Sequence, residues 1–180
     1  MIKFKGLSDD LKVSDEVREI GLDAFTKRAC VGRRMIYSRD YAFKLTGLAE
    51  VSDTNFWVLV KEAAIAKDLR ELGFNAPIVC GLNYDGEFGR HFLAMKRIVP
   101  YSLWHIPKGQ RDIAEKNFDE TVDKLKKLRY LPDDCNSSSN CAYTPNGLQP
   151  IFFDFEEWGY PERVWNKIQS CFERQLYMTC

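Results

Sequence analysis

Asp154 closes the run Pro150-Ile151-Phe152-Phe153-Asp154-Phe155-Glu156-Glu157. Three large apolar residues lead into one carboxylate, and two more carboxylates follow. Ile151, Phe152 and Phe153 have strand character, which puts Asp154 where a strand would leave the core. A carboxylate fixed there is a common way to hold a divalent cation such as Mg2+, which takes hard oxygen ligands. The plainer reading is that Asp154 starts a turn or caps a helix. Further polar residues bear on that choice: Lys44, Glu62, and the loop Asp133-Asp134 to Asn140.

The elements that must position these residues can be read from spacing. Met35-Ile36-Tyr37 and Tyr41-Ala42-Phe43-Lys44-Leu45 read as two strands around Ser38-Arg39-Asp40. With a period of two, Ala42, Lys44 and Thr46 share one face and Tyr41, Phe43 and Leu45 the other. A lysine beside a small alanine, opposite a bulky face, asks for something polar over it; the alternative is an ordinary exposed lysine on an edge strand. Residues 54–73 read as a helix with Leu59, Ala63, Ala66 and Leu69 at helical spacing and Gly73 as its stop. Glu62 lies on that same stripe, so it needs a partner. Lys44 is the natural one, unless Glu62 reaches water at the stripe's edge. Glu71 faces the polar side.

The next predicted strand is Ala76–Leu82, with a turn at Asp85-Gly86. His91–Ile98 returns and stops at Pro100. Residues 110–130 read as a helix with Ile113, Phe118, Val122, Leu125 and Leu128 inward, ending before Pro132. Cys141–Thr144 and Pro150–Phe153 form a hairpin around Pro145-Asn146-Gly147. A tail helix over 161–178 carries Val164, Ile168, Phe172 and Leu176 on one face, widened by Trp165. It either packs on the helix at 113–128 or contacts a partner. Near the start, Ser14 is placed to cap a short helix through Val17, Ile20 and Leu22. The order predicts an α+β chain in two lobes.

Composition narrows the function. With 180 residues and 26 basic against 26 acidic side chains, the chain is sized for one domain or two small lobes. Its charge does not suit a nucleic-acid or membrane-surface binder. No apolar run approaches the ~20 residues of a membrane span, and the first residues lack a signal-peptide core. A cytoplasmic protein is the expectation. The six cysteines contain no C-x-x-C pair and read as free thiols. Cys135 and Cys141 would need histidine to make a zinc site, but the two histidines, His91 and His105, are remote. The same scarcity argues against a histidine-based triad.

This order, with Lys44, Glu62, the Asp/Asn loop and Asp154 along it, resembles the protein-kinase-like superfamily over roughly residues 30 to 157. Tyr41-Ala42-Phe43-Lys44 is similar to the family's V-A-I-K strand. Lys61-Glu62-Ala63 is similar to the helix whose glutamate pairs with that lysine, and Phe92–Ile98 to the strand entering the adenine-binding hinge. Asp133-Asp134 to Asn140 is similar to the catalytic loop, and Asp154-Phe155-Glu156 to D-F-G. The resemblance implies a bilobal fold, with an N-lobe over 1–98 and a reduced helical C-lobe over 99–180. It implies that Gly32, Ala42, Lys44, Met95 and Arg97 bind ATP, that Asn140 and Asp154 hold Mg2+, and that Lys44 and Glu62 act with Asp134, or else Asp133, in catalysis.

The departures from the family pattern are specific. The phosphate-covering loop keeps one glycine, Gly32, where the family has three, and Arg33 and Arg34 either supply charge there or are solvated turn residues. The catalytic loop lacks the H-R-D histidine and arginine and has one extra residue. Glu156 replaces the D-F-G glycine, as is frequent in small-molecule and atypical kinases. Only 26 residues follow Asp154, which resembles the minimal kinases of bacterial effectors and viruses, and Tyr160-Pro161-Glu162 imitates A-P-E too early. The leading expectation is an ATP- and Mg2+-dependent kinase acting on serine, threonine or tyrosine of a partner protein. The alternatives are a pseudokinase binding module, a small-molecule kinase, and an unrelated α+β interaction domain.

Overall fold

A computed structural model of the chain describes residues 13–28, 35–46, 53–83, 91–98 and 101–176. Gly32, Arg33 and Arg34, the Asp85-Gly86 turn and Pro100 lie outside these residues, as do the side chains of Leu22, Phe172 and Leu176. The first helix, α1 (Asp15–Arg28), begins where Ser14 Oγ accepts the Val17 N–H at 3.4 Å, the cap its sequence predicts. Strands β1 (Met35–Tyr37) and β2 (Tyr41–Leu45) pair antiparallel, with Met35 opposite Lys44 and Tyr37 opposite Ala42. These are the predicted strands and the predicted turn.

Helix α2 (Asp53–Glu71) buries Phe56, Leu59, Ala63, Ala66 and Leu69 along one stripe. It stops at Gly73, whose φ of +83° suits glycine. There the Phe74 N–H reaches Leu69 O and the Gly73 N–H reaches Arg70 O, which closes the last turn as a Schellman motif. Strands β3 (Val79–Asn83) and β4 (Phe92–Lys96) are shorter than their sequence predicts. Pairing in β3 starts two residues after Pro77, which has no N–H to give a ladder. The sheet order is β1-β2-β4-β3, so the strand bearing Lys44 is central rather than an edge. Side chains alternate across it as expected. Ile36, Phe43, Leu45, Phe92 and Ala94 form a cluster with Val17 and Ala24 of α1, while Leu82 and Leu93 join α2 in the larger core.

After one turn of 3-10 helix at Leu103–His105 comes α3 (Lys108–Lys127). Its inward stripe is Ala114, Phe118 and Leu125, whereas Ile113 is 53% exposed, which corrects its placement in the core. Residue 113 is about 100° around the helix from 114, so the small alanine takes the contact. The second sheet is a hairpin of β5 (Cys141–Tyr143) and β6 (Pro150–Phe152). It is tied to the segment after α2 by the Phe152 N–H to Asn75 O bond. Phe152, Phe155 and Tyr130 surround the fully buried Trp158 in edge-on contacts.

Helix α4 (Glu162–Leu176) buries Val164 and Ile168. It packs on α2 rather than on α3, which corrects the other expectation for the tail. The reason is a specific set of contacts. Trp165 meets Trp57 edge-on at 5.6 Å, and Arg163 and Lys167 both bond to the buried Asp68 of α2, at 2.9 and 2.7 Å. Tyr130 gives its hydroxyl hydrogen to the same carboxylate at 2.5 Å. Glu71, exposed as expected, pairs with Lys167.

Candidate functional site

Lys44 points from β2 toward α2 and is 8% exposed; Glu62, 3% exposed, meets it from the helix. The Lys44 ammonium donates to a Glu62 carboxylate oxygen and, at 2.5 Å, to Asp154 Oδ1, while Glu156 Oε2 is 3.8 Å away. An amine from the sheet, an acid from α2 and an acid from the turn after β6 thus meet at one point. Burial works against the charge on Lys44, but the Glu62 and Asp154 carboxylates outweigh it and hold its pKa above the ordinary lysine value. Burial also acts on Glu62. Helped by the negative charges of Asp154 and Glu156, it raises that pKa to about 7 despite Lys44.

Asp154 takes a left-handed backbone, φ +62°, a conformation that costs a non-glycine residue about 1–2 kcal/mol. It persists because the flanking residues are tied down. The Phe153 N–H donates to Asn140 O at 3.2 Å, and Phe155 is buried. Asn140, itself at φ +52°, donates its amide to Asp134 twice, to Oδ2 at 2.9 Å and to the backbone oxygen at 3.3 Å. Asp134 Oδ1 is buried with no hydrogen-bond partner among the described residues, whereas Asp133 is exposed. Cys135 and Cys141 flank this loop. Burial pushes both thiols up to about 12, which leaves them protonated rather than ready to bind a metal.

Beside this cluster is a cleft of about 320 Å³ lined by Met35, Tyr37, Ala42, Pro77, Met95, Lys96, Arg97, Ile98 and Phe153. Its walls are mainly apolar, and its size is at the lower end for small-molecule sites. Three residues expected at a nucleotide site, Ala42, Met95 and Arg97, line it. Arg97 is exposed at the rim, where its guanidinium lies over the Tyr37 ring and bonds to Ser38 O at 3.0 Å. Sequence reasoning missed Phe153, Pro77, Met35 and Tyr37 as lining residues. Alternation could have found Phe153: Phe152 faces the core, so its neighbour must face away. It missed Lys61 too. That side chain donates to Glu156 O at 2.7 Å, and no pattern in the sequence marks it.

The donor set fits a hard divalent cation. Carboxylate oxygens of Glu62, Asp154 and Glu156 lie within 4.8 Å of one another; Glu62 is buried against Lys44, so the partly exposed Asp154 and Glu156 are the oxygen donors of this set that suit Mg2+.

No protein-family model matches the sequence, and no curated protein does. Solved structures do match. WbdD, in co-crystals with the kinase inhibitor LY294002, aligns with 76% of this chain at TM-score 0.50 and 17% identity, over 33% of its own length. A high-resolution WbdD structure aligns with 79% of this chain at TM-score 0.50 and 21% identity, over 35% of its length. A Rio2 kinase complex with ADP/Mg2+ and phosphoaspartate, from Chaetomium thermophilum, aligns with 93% of this chain and 62% of its own, at TM-score 0.42 and 15% identity. The chain spans about a third of the length of the WbdD chains it matches. At these identities the likeness is one of fold. The chain has a bilobal α+β fold of the protein-kinase-like type, with a small antiparallel sheet in one lobe and a mainly helical second lobe.

Proposed function

We propose that the chain is an ATP- and Mg2+-dependent phosphotransferase, a minimal protein kinase acting on serine, threonine or tyrosine of a partner protein. The observation that carries this reading is the Lys44 ammonium bonded at once to Glu62 and Asp154 beside an apolar cleft. The lobes divide after Ile98, and the adenine lies in the cleft against Ala42, Met95 and Phe153. Phosphoryl transfer asks the protein mainly to position groups and to neutralise charge. Lys44, oriented by Glu62, neutralises the α- and β-phosphates. Asp154 and the Asn140 side-chain oxygen hold Mg2+, which when bound neutralises phosphate oxygens. Asp134 accepts the proton of the acceptor hydroxyl through its unpartnered Oδ1, the acceptor oxygen bonds to the γ-phosphorus, and the bond to the β-phosphate oxygen breaks to release ADP.

A second reading, a small-molecule phosphotransferase, is favoured by the segment after Asp154. Phe155 and Trp158 are buried, and Gly159 bonds both ways to Leu131, so this stretch is not an open platform for a peptide. The test is transfer of labelled γ-phosphate to candidate proteins and to sugars or amino-sugars. Lys44→Met and Asp154→Ala should each reduce transfer by at least about a hundredfold. A protein acceptor supports the first reading and a small acceptor the second. Mg2+-dependent ATP binding without transfer to either would make the chain a pseudokinase, and no binding at all would end the phosphotransfer account.

A further inference from the structure

Helix α2 grips the site with two consecutive residues. Glu62 reaches Lys44, which in turn bonds to the Asp154 carboxylate. Lys61 turns to the other side, where its ammonium donates to the backbone oxygen of Glu156 at 2.7 Å and lies 5.4 Å from the centre of the Tyr160 ring. Burial holds the Lys61 pKa below the ordinary lysine value, against the opposing pull of the negative charges on Glu157, Glu62, Glu156 and Asp134. The turn it holds is the strained one: Asp154 is left-handed, and such a backbone survives only where its surroundings over-determine it.

We propose that Lys61 is a positioning residue for the cation site: by tying the Glu156 carbonyl to α2, it fixes the turn that aims Asp154 at Lys44. The metal part of this inference rests on the phosphotransferase reading; the tie itself does not. Residues that orient metal ligands without touching the metal usually change its affinity by about 10- to 100-fold when removed. Lys61 is suited to that role because a backbone oxygen two residues beyond the ligand offers a firm handle. The grip also makes α2 and the turn move as one body, so displacing the helix would withdraw Asp154.

Two measurements on the full chain separate the parts. The first is amide hydrogen exchange without ligand at Phe153 and Trp158, whose N–H groups donate to Asn140 O and Phe155 O on either side of the turn, for wild type, Lys61→Met and Lys61→Arg. Lys61→Met should speed exchange there about tenfold or more, while protection in α3 and β4 is unchanged; Lys61→Arg, which keeps a donor, should restore much of it. The second is Mn2+ binding in the presence of ADP, followed by electron paramagnetic resonance, where Lys61→Met should weaken Mn2+ about 10-fold or more and leave metal-free ADP affinity within about twofold. Unchanged exchange at Phe153 and Trp158 would overturn the proposal whatever the metal does. Faster exchange with unaltered Mn2+ affinity would overturn its metal half. A wild type that binds no Mn2+ with ADP would overturn both the phosphotransferase reading and that metal half, while faster exchange would still support the tie.

Discussion

Lys44 is a charged side chain buried at the fourth position of a five-residue strand, and it is tolerable there only because acids meet it from two directions. Removing it leaves Glu62 buried without its cation, so Lys44→Met should cost about 3–5 kcal/mol near pH 8, measured by urea unfolding. The cost should be smaller at pH 5, where Glu62 is protonated. The sign for Glu62 follows from its raised pKa. Between about 4.5 and about 7 the folded chain keeps a proton that the unfolded chain has released, so stability falls as pH rises through that window. In metal-free buffer Glu62→Gln should flatten this slope, and a slope that persists would mean that another group carries it. For transfer, Glu62→Ala should lower the rate less than Asp154→Ala, because one orients a lysine and the other holds a cation. Equal losses would count against those roles. The pairing of Lys44 with Glu62 was legible because Glu62 sat on an apolar stripe where a lone charge is costly, while Lys44 shared a strand face with the small Ala42, opposite the bulky one. The third carboxylate near Lys44, Glu156, was legible only as a departure from a family pattern, since strand and helix periods do not say how a turn folds back.

At the scale of elements, α2 carries most of the connections. Its Asp68 takes hydrogen bonds from Tyr130, Arg163 and Lys167. Burial opposes its charge, but those bonds, Lys167 foremost, hold its pKa below the ordinary aspartate value. The stability this contributes is therefore present above pH 3.8 and is lost as pH falls through the lower, folded value. Asp68→Asn should destabilise by about 2 kcal/mol at pH 7, with the gap to wild type closing in acid; a gap that stays constant with pH would deny the role of charge. None of this was visible in sequence, because Asp68 meets partners 62, 95 and 99 residues away. Helix stops were easier to see when glycine made them. Gly73 was read correctly, but α3 ends by the same hydrogen-bond pattern at Arg129, φ +68°, where no glycine gives the signal. Arg129→Gly should raise stability by about 0.5–1 kcal/mol, the relief of left-handed strain less glycine's entropy; a lower melting temperature would count against that strain.

At the scale of the whole molecule, the larger of the two core clusters runs from the four-stranded sheet through α2 to α3, the hairpin and α4, and α2 contacts both the sheet and α4. No described helix is long and apolar enough to cross a membrane. The order of elements and the three antiparallel pairs of successive strands were readable because local periods and turn residues set them. The cleft was not, because its walls come from β1, β2, the stretch 95–98, Pro77 and Phe153, which only the folded chain brings together. The most direct test of the central claim is a crystal structure of the chain grown with ADP and Mg2+. The account predicts the adenine against Ala42, Met95 and Phe153, the phosphates at Lys44, and the metal on Asp154 and Asn140. Nucleotide bound elsewhere, or an empty cleft at saturating ADP and Mg2+, would contradict it.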